Sequence, residues 1–226
     1  MKKILVVEDE KNIRELIEFN LSNAGFSVLK AADGREALDK LSSEIDLVVL
    51  DLMLPEIDGM EVCRKIRGND ELRKIPIIML TAKGEEVERI LGLEMGADDY
   101  MTKPFSPREL IARIKAIFRR IKESRSESEQ IEDEIIEIGS LSLDISRHEV
   151  EYEGEKITLT PKEFELLRYL LVNQGRVLSR ELLLEKIWGY EYAGDTRTVD
   201  VHIRRLRKKI NESLIETVRG VGYKFV

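Results

Sequence analysis

The sequence predicts an α/β domain built on a five-stranded, doubly wound parallel sheet, followed by a smaller α+β domain. The chain has 226 residues, which favours two modest domains with separate cores over the alternative of one large domain. Its first half alternates short apolar runs with helical patterns, whereas its second half combines helical patterns with turn-rich, loosely alternating stretches. A polar, acidic segment separates the two halves, so we expect the domain boundary there.

Five apolar runs predict the strands of the first domain: residues 4–7, 26–29, 47–50, 77–80 and a weaker run at 100–101. They alternate with helical patterns at about 12–40, 59–67, 85–95 and 107–120. Strands that are apolar on both faces and separated by helices indicate a parallel sheet that is covered on both sides. Ligands bind such sheets at the carboxyl ends of the strands, so the residues that follow each run are the candidate site.

Polar and charged residues follow four of these runs: Glu8, Asp9, Asp51, Thr81 and Lys103. A single Asp after a strand is usually a helix cap or a turn former, so the indication comes from the set. Three converging carboxylates repel unless they share a cation, and hard oxygen ligands of this kind suit Mg²⁺. The acids would hold the metal while the hydroxyl and the amine meet phosphoryl oxygens, with Asp51 as the candidate nucleophile.

Four motifs extend this interpretation to a family: ILVVED at 4–9, VLDLMLPEIDG at 49–59, IMLTA at 78–82 and GADDYMTKPF at 96–105. Residues 1–121 resemble the flavodoxin-like receiver domain of two-component response regulators. The resemblance implies that Asp51 is the phosphoacceptor and that Mg²⁺ or Mn²⁺ is bound by Asp9, Asp51 and the Met53 carbonyl, with Glu8 acting through water. It implies that Thr81 and Lys103 contact the phosphoryl group, that Tyr100 is the aromatic switch residue, and that the Lys103–Pro104 peptide bond is cis. Met53 and Lys83 occupy the positions that tune dephosphorylation in this family.

The same resemblance implies a homodimer of the phosphorylated protein. Its surface would be formed by the helix at 85–95, the strand at 100–101 and the helix at 107–120. The expected ion pairs are Arg89 with Glu109, Glu94 with Lys115, and Asp98 or Asp99 with Arg113. Exposed pairs are individually weak, so only a network combined with apolar packing could hold such a dimer.

The charge of the chain is unevenly distributed. Residues 1–121 hold 20 basic and 23 acidic residues, residues 122–136 hold 2 and 6, and residues 137–226 hold 15 of each. The Ser-rich, acidic segment 122–136 is typical of a solvated linker, although its first residues could instead continue the preceding helix. A net charge of −7 argues against nucleic-acid binding only if it is evenly spread, and the second half is neutral.

Three helices and several short strands are predicted in residues 137–226. Thr160 to Glu163 form a capping box that opens the first helix, which ends near Gly175, and short antiparallel strands precede it within 138–159. Ser179 caps a second helix at 180–187, and a loop follows from Trp188. The third helix runs from residue 195 or 196 to about 210, with an apolar stripe at Val199, Ile203, Leu206 and Ile210 and an opposite face at Arg197, Val201, Arg204 and Lys208.

The third helix is rich in basic residues. Residues 195–210 contain six basic and two acidic residues, which fits a helix that lies against phosphates in a major groove. The alternative is a solvated surface with local ion pairs such as Asp200 with Arg204. The closing segment 216–226 is typical of a glycine-turned hairpin and favours the DNA-binding interpretation.

Three motifs in this half, LTPKEFELL at 159–167, TVDVHIRRLRK at 198–208 and VRGVGYK at 218–224, resemble the OmpR/PhoB-type effector domain, a winged helix-turn-helix. The resemblance implies that Arg219 enters the minor groove and that the loop at Trp188 meets RNA polymerase. It also implies a DNA-facing set on the third helix: Arg197, Thr198, His202, Arg204, Arg205 and Arg207.

The complete hypothesis is a phosphorylation-activated transcriptional regulator of a two-component system. A sensor histidine kinase would phosphorylate Asp51, and the dimer would bind direct-repeat sites in double-stranded DNA. Two alternatives are an aspartyl phosphatase, for which Met53 supplies no second acid two residues after Asp51, and a protein-binding second half. No apolar run approaches the roughly 20 residues of a membrane span, so we expect a cytoplasmic protein without a membrane partner. One cysteine, Cys63, and two histidines exclude an internal disulfide and a zinc centre.

Overall fold

The computed structural model describes residues 1–82, 96–128, 135–189 and 196–226. The chain divides into two compact units, Met1–Lys115 and Ala116–Val226. The predictions for Lys83, Arg89, Glu94, the helix at 85–95 and the loop at 190–195 lie outside the described residues. Within the described ranges, no helix is long and apolar enough to cross a membrane.

The first unit contains the predicted five-stranded parallel sheet. Its strands are β1 (Lys3–Val7), β2 (Ser27–Ala31), β3 (Leu47–Asp51), β4 (Ile77–Ala82) and β5 (Asp99–Lys103), in the order β2-β1-β3-β4-β5. The central strand β3 is buried at every position, as expected of a strand covered on both faces. The weak apolar run at 100–101 lies within β5, which is a full strand at the edge of the sheet.

The described helices that begin in this unit are α1 (Lys11–Asn23), α2 (Gly34–Lys40), α3 (Gly59–Arg67) and α4 (Pro107–Ser128). The helical pattern predicted at 12–40 comprises two helices, α1 and α2, and the strand predicted at 26–29 separates them as β2. Asp33 and Asp58 begin α2 and α3, since each side chain accepts a hydrogen bond from the backbone three residues later.

Helix α4 passes through the predicted boundary at residue 121. It continues to Ser128, so residues 122–128 are helical, in agreement with the alternative that the preceding helix extends into the linker. At the other end of the predicted linker, residues 135–136 are already paired in a strand. The boundaries 1–121, 122–136 and 137–226 remain predictions.

The second unit is an α+β domain with two antiparallel sheets. Strands β6 (Ile135–Ile138), β7 (Leu141–Asp144), β8 (Glu149–Tyr152) and β9 (Glu155–Ile157) form the first sheet in sequential order. Three helices follow: α5 (Pro161–Val172), α6 (Arg180–Trp188) and α7 (Arg197–Lys209). A second sheet has the order β10-β12-β11, made by β10 (Leu178–Ser179), β11 (Ile215–Val218) and β12 (Gly222–Phe225), with a short 3₁₀ helix at Glu212–Leu214 before β11.

The three helices and both sheets of this unit share one apolar core. The predicted stripe of α7 lies in it, and Leu167 of α5 and Phe225 of β12 are fully buried beside that stripe. The predicted capping box is present, because Thr160 and Glu163 exchange side-chain and backbone hydrogen bonds. The winged-helix arrangement of helices and a terminal hairpin is therefore confirmed.

Candidate functional site

The carboxyl ends of four neighbouring strands bring the predicted site residues together. Glu8 and Asp9 follow β1, Asp51 ends β3, Thr81 lies near the end of β4 and Lys103 ends β5. The parallel registers place Asp51 beside Leu80 and Lys103 beside Ala82, at one edge of the sheet. Residues that are far apart in the chain therefore form one cluster, because their strands are neighbours in the sheet.

Lys103 joins two of the carboxylates. Its Nζ lies 2.7 Å from Asp51 Oδ2 and 2.8 Å from Glu8 Oε1, and both acids are buried. The backbone N–H of Met53 donates to the other Asp51 oxygen over 3.2 Å. The Lys103–Pro104 peptide bond is cis, as predicted. The Asp51 side chain is thus oriented by one charged and one backbone donor.

The three acids are close enough to share an ion. One carboxylate oxygen from each of Glu8, Asp9 and Asp51 lies within 4.8 Å of the others. Glu8 Oε2 is buried and has no aligned hydrogen-bond donor within the described part of the chain, although Lys103 Nζ is 2.8 Å away. This orphaned oxygen and the all-oxygen donor set fit a hard divalent cation.

The pKa values of this cluster reflect crowded negative charge. Burial, together with the charge of Asp51, raises the pKa of Glu8 to about 7 despite the hydrogen bond from Lys103. Burial favours the neutral amine of Lys103, but its hydrogen bonds to Asp51 and Glu8 outweigh that effect and raise its pKa. Lys103 therefore carries a positive charge beside Asp51 at neutral pH.

The remaining predicted residues of this site differ in exposure. Thr81 and Tyr100 are buried, on adjacent strands β4 and β5. Met53, two residues after Asp51, is 63% exposed and so lies where a partner or solvent can reach it. The chemistry available here is attack by a carboxylate on an electrophile whose negative charge Lys103 and a bound cation would balance.

The predicted dimer surface needs one correction. Asp98 is buried and its carboxylate is bound by Arg67, at 2.8 Å, and by the backbone N–H of Ile77. It therefore does not lie on an exposed pairing surface. The sequence pattern did not show this, because Arg67 is thirty-one positions away.

The other described members of that surface lie on β5 and α4. Arg113 pairs within the chain with both Asp99, at 2.9 Å, and Glu109, at 2.7 Å. Lys115 is exposed. An intermolecular pair of Arg113 with Asp99 would have to replace the contact that these residues make inside one chain.

The predicted DNA-facing set on α7 also needs correction. Thr198 and His202 are fully buried, and the His202 ring packs edge-on against Trp188 with a centroid distance of 4.9 Å. Arg205 is buried and pairs with the carboxylate of Glu163 at 2.8 Å. These polar residues are buried because α7 packs against both α5 and α6. The covered part of the helix is therefore wider than the apolar stripe.

The exposed face of α7 is narrower than predicted. Arg197, Arg204 and Lys208 are exposed, at spacings of seven and four residues that place them on one side of the helix. Arg207 instead donates to the Ile215 carbonyl and to Thr217 Oγ1, so it joins α7 to β11. Arg219 is exposed at the turn of the β11–β12 hairpin.

Sequence reasoning did not identify a polar cluster that connects the helices to the hairpin. Asp200 accepts hydrogen bonds of 2.7 Å from both Arg180 and the Tyr223 hydroxyl, and the Arg180 guanidinium lies 4.9 Å from the Tyr223 ring centroid. Burial and the Asp200 carboxylate raise the pKa of Tyr223 to about 12. These residues are separated by up to forty-three positions, so no local pattern indicates the contact.

Trp188, the predicted residue of the polymerase loop, is part of the domain core. It is only 4% exposed, and Lys162 Nζ lies 5.7 Å from its ring. The Trp188 side chain is therefore not an exposed contact residue, and the loop that follows it lies outside the described residues.

Comparison with known proteins agrees with both halves of this arrangement. Residues 4–115 match the family described as "Response regulator receiver domain", and residues 154–225 match "Transcriptional regulatory protein, C terminal". The alkaline phosphatase synthesis transcriptional regulatory protein PhoP of Bacillus subtilis is 52% identical over 99% of this chain and 96% of its own. The chain belongs to the OmpR/PhoB family of two-component response regulators.

Two further relatives span the chain. The sensory transduction protein RegX3 of Mycolicibacterium smegmatis is 45% identical over 99% of both sequences. A solved structure of a RitR mutant is 31% identical, covers 100% of this chain and 99% of its own, and superposes with a TM-score of 0.78. This response regulator is a transcriptional regulator with a receiver and a DNA-binding domain, and not a metabolic enzyme, so the phosphatase alternative is set aside.

Proposed function

We propose that Asp51 is the phosphoacceptor of this response regulator. The observation that carries the proposal is the position of Asp51, buried at the end of β3, bound by Lys103 at 2.7 Å and adjacent to two further acids. A carboxylate oxygen of Asp51 would attack the phosphorus of a phosphohistidine on a sensor histidine kinase. The N–P bond breaks, an O–P bond forms, and the histidine nitrogen leaves.

The cluster of Glu8, Asp9 and Asp51 would hold Mg²⁺, or Mn²⁺ in its place, together with the Met53 carbonyl. When bound, the ion would offset the charge of these carboxylates and of the phosphoryl oxygens. Lys103 balances the additional charge, because it already contacts the side chain that is modified. Thr81, buried one residue beyond the position level with Asp51, supplies a hydroxyl to the phosphoryl group.

Phosphorylation would then change the surface formed by β5 and α4. Tyr100 lies on β5 next to Asp99, whose carboxylate is bound by Arg113 of α4. A shift of the Tyr100 side chain that follows Thr81 would favour the receiver state that pairs with a second copy. The pairing residues would be Asp99, Glu109, Arg113 and Lys115, together with Arg89 and Glu94. The homodimer selects one of two receiver states, as charge-driven switches do.

The DNA-binding surface would be the exposed side of α7 and the tip of the hairpin. Arg197, Arg204 and Lys208 project from one side of the helix, and Arg219 lies at the turn. Together they supply a set of cations for double-stranded DNA in the cytoplasm. A dimer would bind two direct-repeat half-sites, and the tether between its DNA-binding domains would increase the affinity. The loop after Trp188 would contact RNA polymerase.

The test is the oligomeric mass by light scattering with Mg²⁺ and beryllofluoride, which mimics an aspartyl phosphate. Wild type is expected to convert from monomer to dimer, whereas Asp51→Ala stays monomeric under the same conditions. Asp39→Ala, which removes an exposed carboxylate on α2, is the matched control and is expected to dimerise like wild type. Dimerisation of Asp51→Ala in response to beryllofluoride would refute the assignment of the acceptor.

A further inference from the structure

A cleft on the first unit is rich in basic residues, and none of the phosphoacceptor residues lines it. It has a volume of about 500 Å³ and lies between α1, β2 and α2. Its lining contains four cations and two carboxylates, with aliphatic residues between them: Lys11, Arg14, Lys30 and Lys40; Glu15 and Glu36; Val28, Leu29 and Ala32. The volume is in the range of small-molecule sites.

Two of the four cations are already neutralised. Lys30 pairs with Glu18 at 2.5 Å, and Lys40 pairs with Glu36 while donating to the Lys30 carbonyl over 2.7 Å. Glu36 also accepts from the Ala32 N–H. The hydrogen bond from Lys40, the Ala32 N–H and the nearby charge of Arg14 hold the pKa of Glu36 below its usual range. These contacts attach α2 to the outer strand β2 and make one wall of the cleft rigid.

The other two cations retain binding capacity. The hydrogen bonds of Arg14 to the carbonyls of Glu8 and Asp9 both use Nη1. Its Nε and Nη2 therefore have no hydrogen-bond partner among the residues that the structure describes. Lys11 lies 3.7 Å from Glu15, a loose pair in which both side chains are more than half exposed.

A guanidinium that is held at one nitrogen and retains donors on the others is oriented before a ligand arrives. Such a group loses little conformational entropy on binding and matches the geometry of phosphate oxygens. Lys11, three residues before Arg14 on α1, supplies a second charge on the same side of the helix. The half-buried side chains of Val28 and Leu29 add an apolar surface next to these donors.

We propose that this cleft binds a small phosphorylated molecule of nucleotide size, whose phosphates contact Arg14 and Lys11. The site is separate from the phosphoacceptor chemistry, so it stands or fails independently of the function proposed above. Because Arg14 also donates to the backbone carbonyls of Glu8 and Asp9, one residue of the cleft contacts the backbone of the acidic cluster.

The test is isothermal titration of the full chain with ADP and with pyrophosphate, in EDTA so that no divalent ion links them to the acidic cluster. We expect ADP to bind with a dissociation constant of about 1 mM or tighter. Arg14→Gln and Lys11→Gln should each weaken binding about tenfold, the loss of one charge-assisted contact. Lys11 is exposed, so its variant should keep the fold even if Arg14→Gln does not.

The matched control is Arg35→Gln on α2. This side chain is 71% exposed, pairs only loosely with Glu56 at 3.7 Å, and does not line the cleft. It is expected to bind ADP like wild type. The proposal is overturned if neither ADP nor pyrophosphate binds, or if Lys11→Gln binds as tightly as Arg35→Gln.

Discussion

Gly59 shows how a single residue holds the phosphoacceptor in place. A Cβ at this position would lie 2.0 Å from the backbone carbonyl oxygen of Asp51, so α3 can begin against the end of β3 only if no side chain is present. The Gly59 N–H donates to the Leu52 carbonyl over 3.0 Å, which fixes this close approach. Any larger residue must displace the backbone that carries Asp51.

We therefore expect Gly59→Ala to lower the free energy of unfolding of the first unit by about 1–3 kcal/mol, the usual cost of overpacking. It should also slow phosphorylation, because the backbone of Asp51 is displaced. Gly68→Ala is the control: Gly68 ends α3 with a helical φ of −80°, and its Cβ would come no closer than 3.3 Å to another atom. Urea titration and phosphorylation from acetyl phosphate measure both effects, and equal stability of the two variants would contradict this explanation.

Glu163 is a second residue whose role depends on its surroundings. It is fully buried, with Arg205 at 2.8 Å and Lys209 at 2.6 Å from its carboxylate oxygens. Burial alone would raise the pKa of Glu163, but the two cations and the hydrogen bonds from Lys209 and the Thr160 N–H lower it below the ordinary value. The ion cluster joins the start of α5 to the last turns of α7.

The pKa of Glu163 is lower in the folded than in the unfolded chain, where it is 4.5. Ionised Glu163 therefore stabilises the second unit fully at pH values above 4.5, and this stabilisation is lost as the pH falls towards the pKa of the folded state. Glu163→Gln should cost roughly 3 kcal/mol at pH 7, since it removes the buried carboxylate charge that Arg205 and Lys209 both face, and less at pH 3. Glu181→Gln, on the exposed first turn of α6, is expected to behave like wild type at both pH values. Urea unfolding at each pH tests this, and a cost that does not depend on pH would contradict it.

At the residue scale, the sequence predicted the site better than it predicted the exposed surfaces. The carboxyl ends of parallel strands lie at one edge of the sheet. The apolar runs before Asp51 and Lys103 were therefore sufficient to predict that these side chains lie close together. The burial of Asp98 and Arg205 was missed because each depends on one distant partner, Arg67 and Glu163 respectively. Periodicity describes a helix and contains no information about which element covers its polar side.

Helix α7 illustrates the next scale, because one element serves both packing and recognition. Seven of its residues are buried, so most of the helix is committed to the core. Only a narrow side, which includes Arg197 and Arg204, is available to DNA. The sequence predicted the length and apolar stripe of this helix, but it assigned buried and exposed polar residues to one surface.

This division predicts opposite results for two neighbouring substitutions in α7. His202→Ala should destabilise the second unit by about 2–4 kcal/mol, because it leaves a cavity beside Trp188. Arg204→Ala should change the free energy of unfolding by no more than about 0.5 kcal/mol. It should reduce the slope of log K for DNA binding against log salt concentration by about one. Lys156→Ala, in the separate sheet that contains β9, is the control for a lost surface charge. Thermal unfolding and fluorescence anisotropy with duplex DNA at several salt concentrations distinguish the two effects.

The connections between elements were less predictable than the elements themselves. The apolar run at 26–29 predicted β2, but the helical pattern at 12–40 did not show where α1 ends and α2 begins. The acidic, Ser-rich composition after residue 121 did not decide between a linker and a helix that continues to Ser128. Both helix ends were left open for one reason: local composition shows how polar a segment is, whereas helix ends depend on caps and tertiary contacts.

At the scale of the whole molecule, the two units differ in how they are built. The first is a parallel sheet whose strands end at the acidic cluster. Among the described residues, the buried core of the second lies within 141–225, with Ile136 and Ile138 packed against it. That core includes Leu141 of β7. Strand β7 pairs with β6, which begins at Ile135. A fragment that begins at residue 135 therefore retains every strand and helix that builds this core.

We expect the fragment 135–226 to fold cooperatively and to bind duplex DNA, because its core and its basic helix face are complete. Its affinity for a DNA that contains two half-sites should not respond to Mg²⁺ and beryllofluoride, whereas the affinity of the full chain should increase, since only the full chain carries the acceptor and the pairing surface. Circular dichroism melting and anisotropy titrations with and without beryllofluoride measure both properties. An unfolded fragment would show that the second unit depends on residues before 135, and a fragment that responds to beryllofluoride would place the phosphate-mimic site outside the first unit.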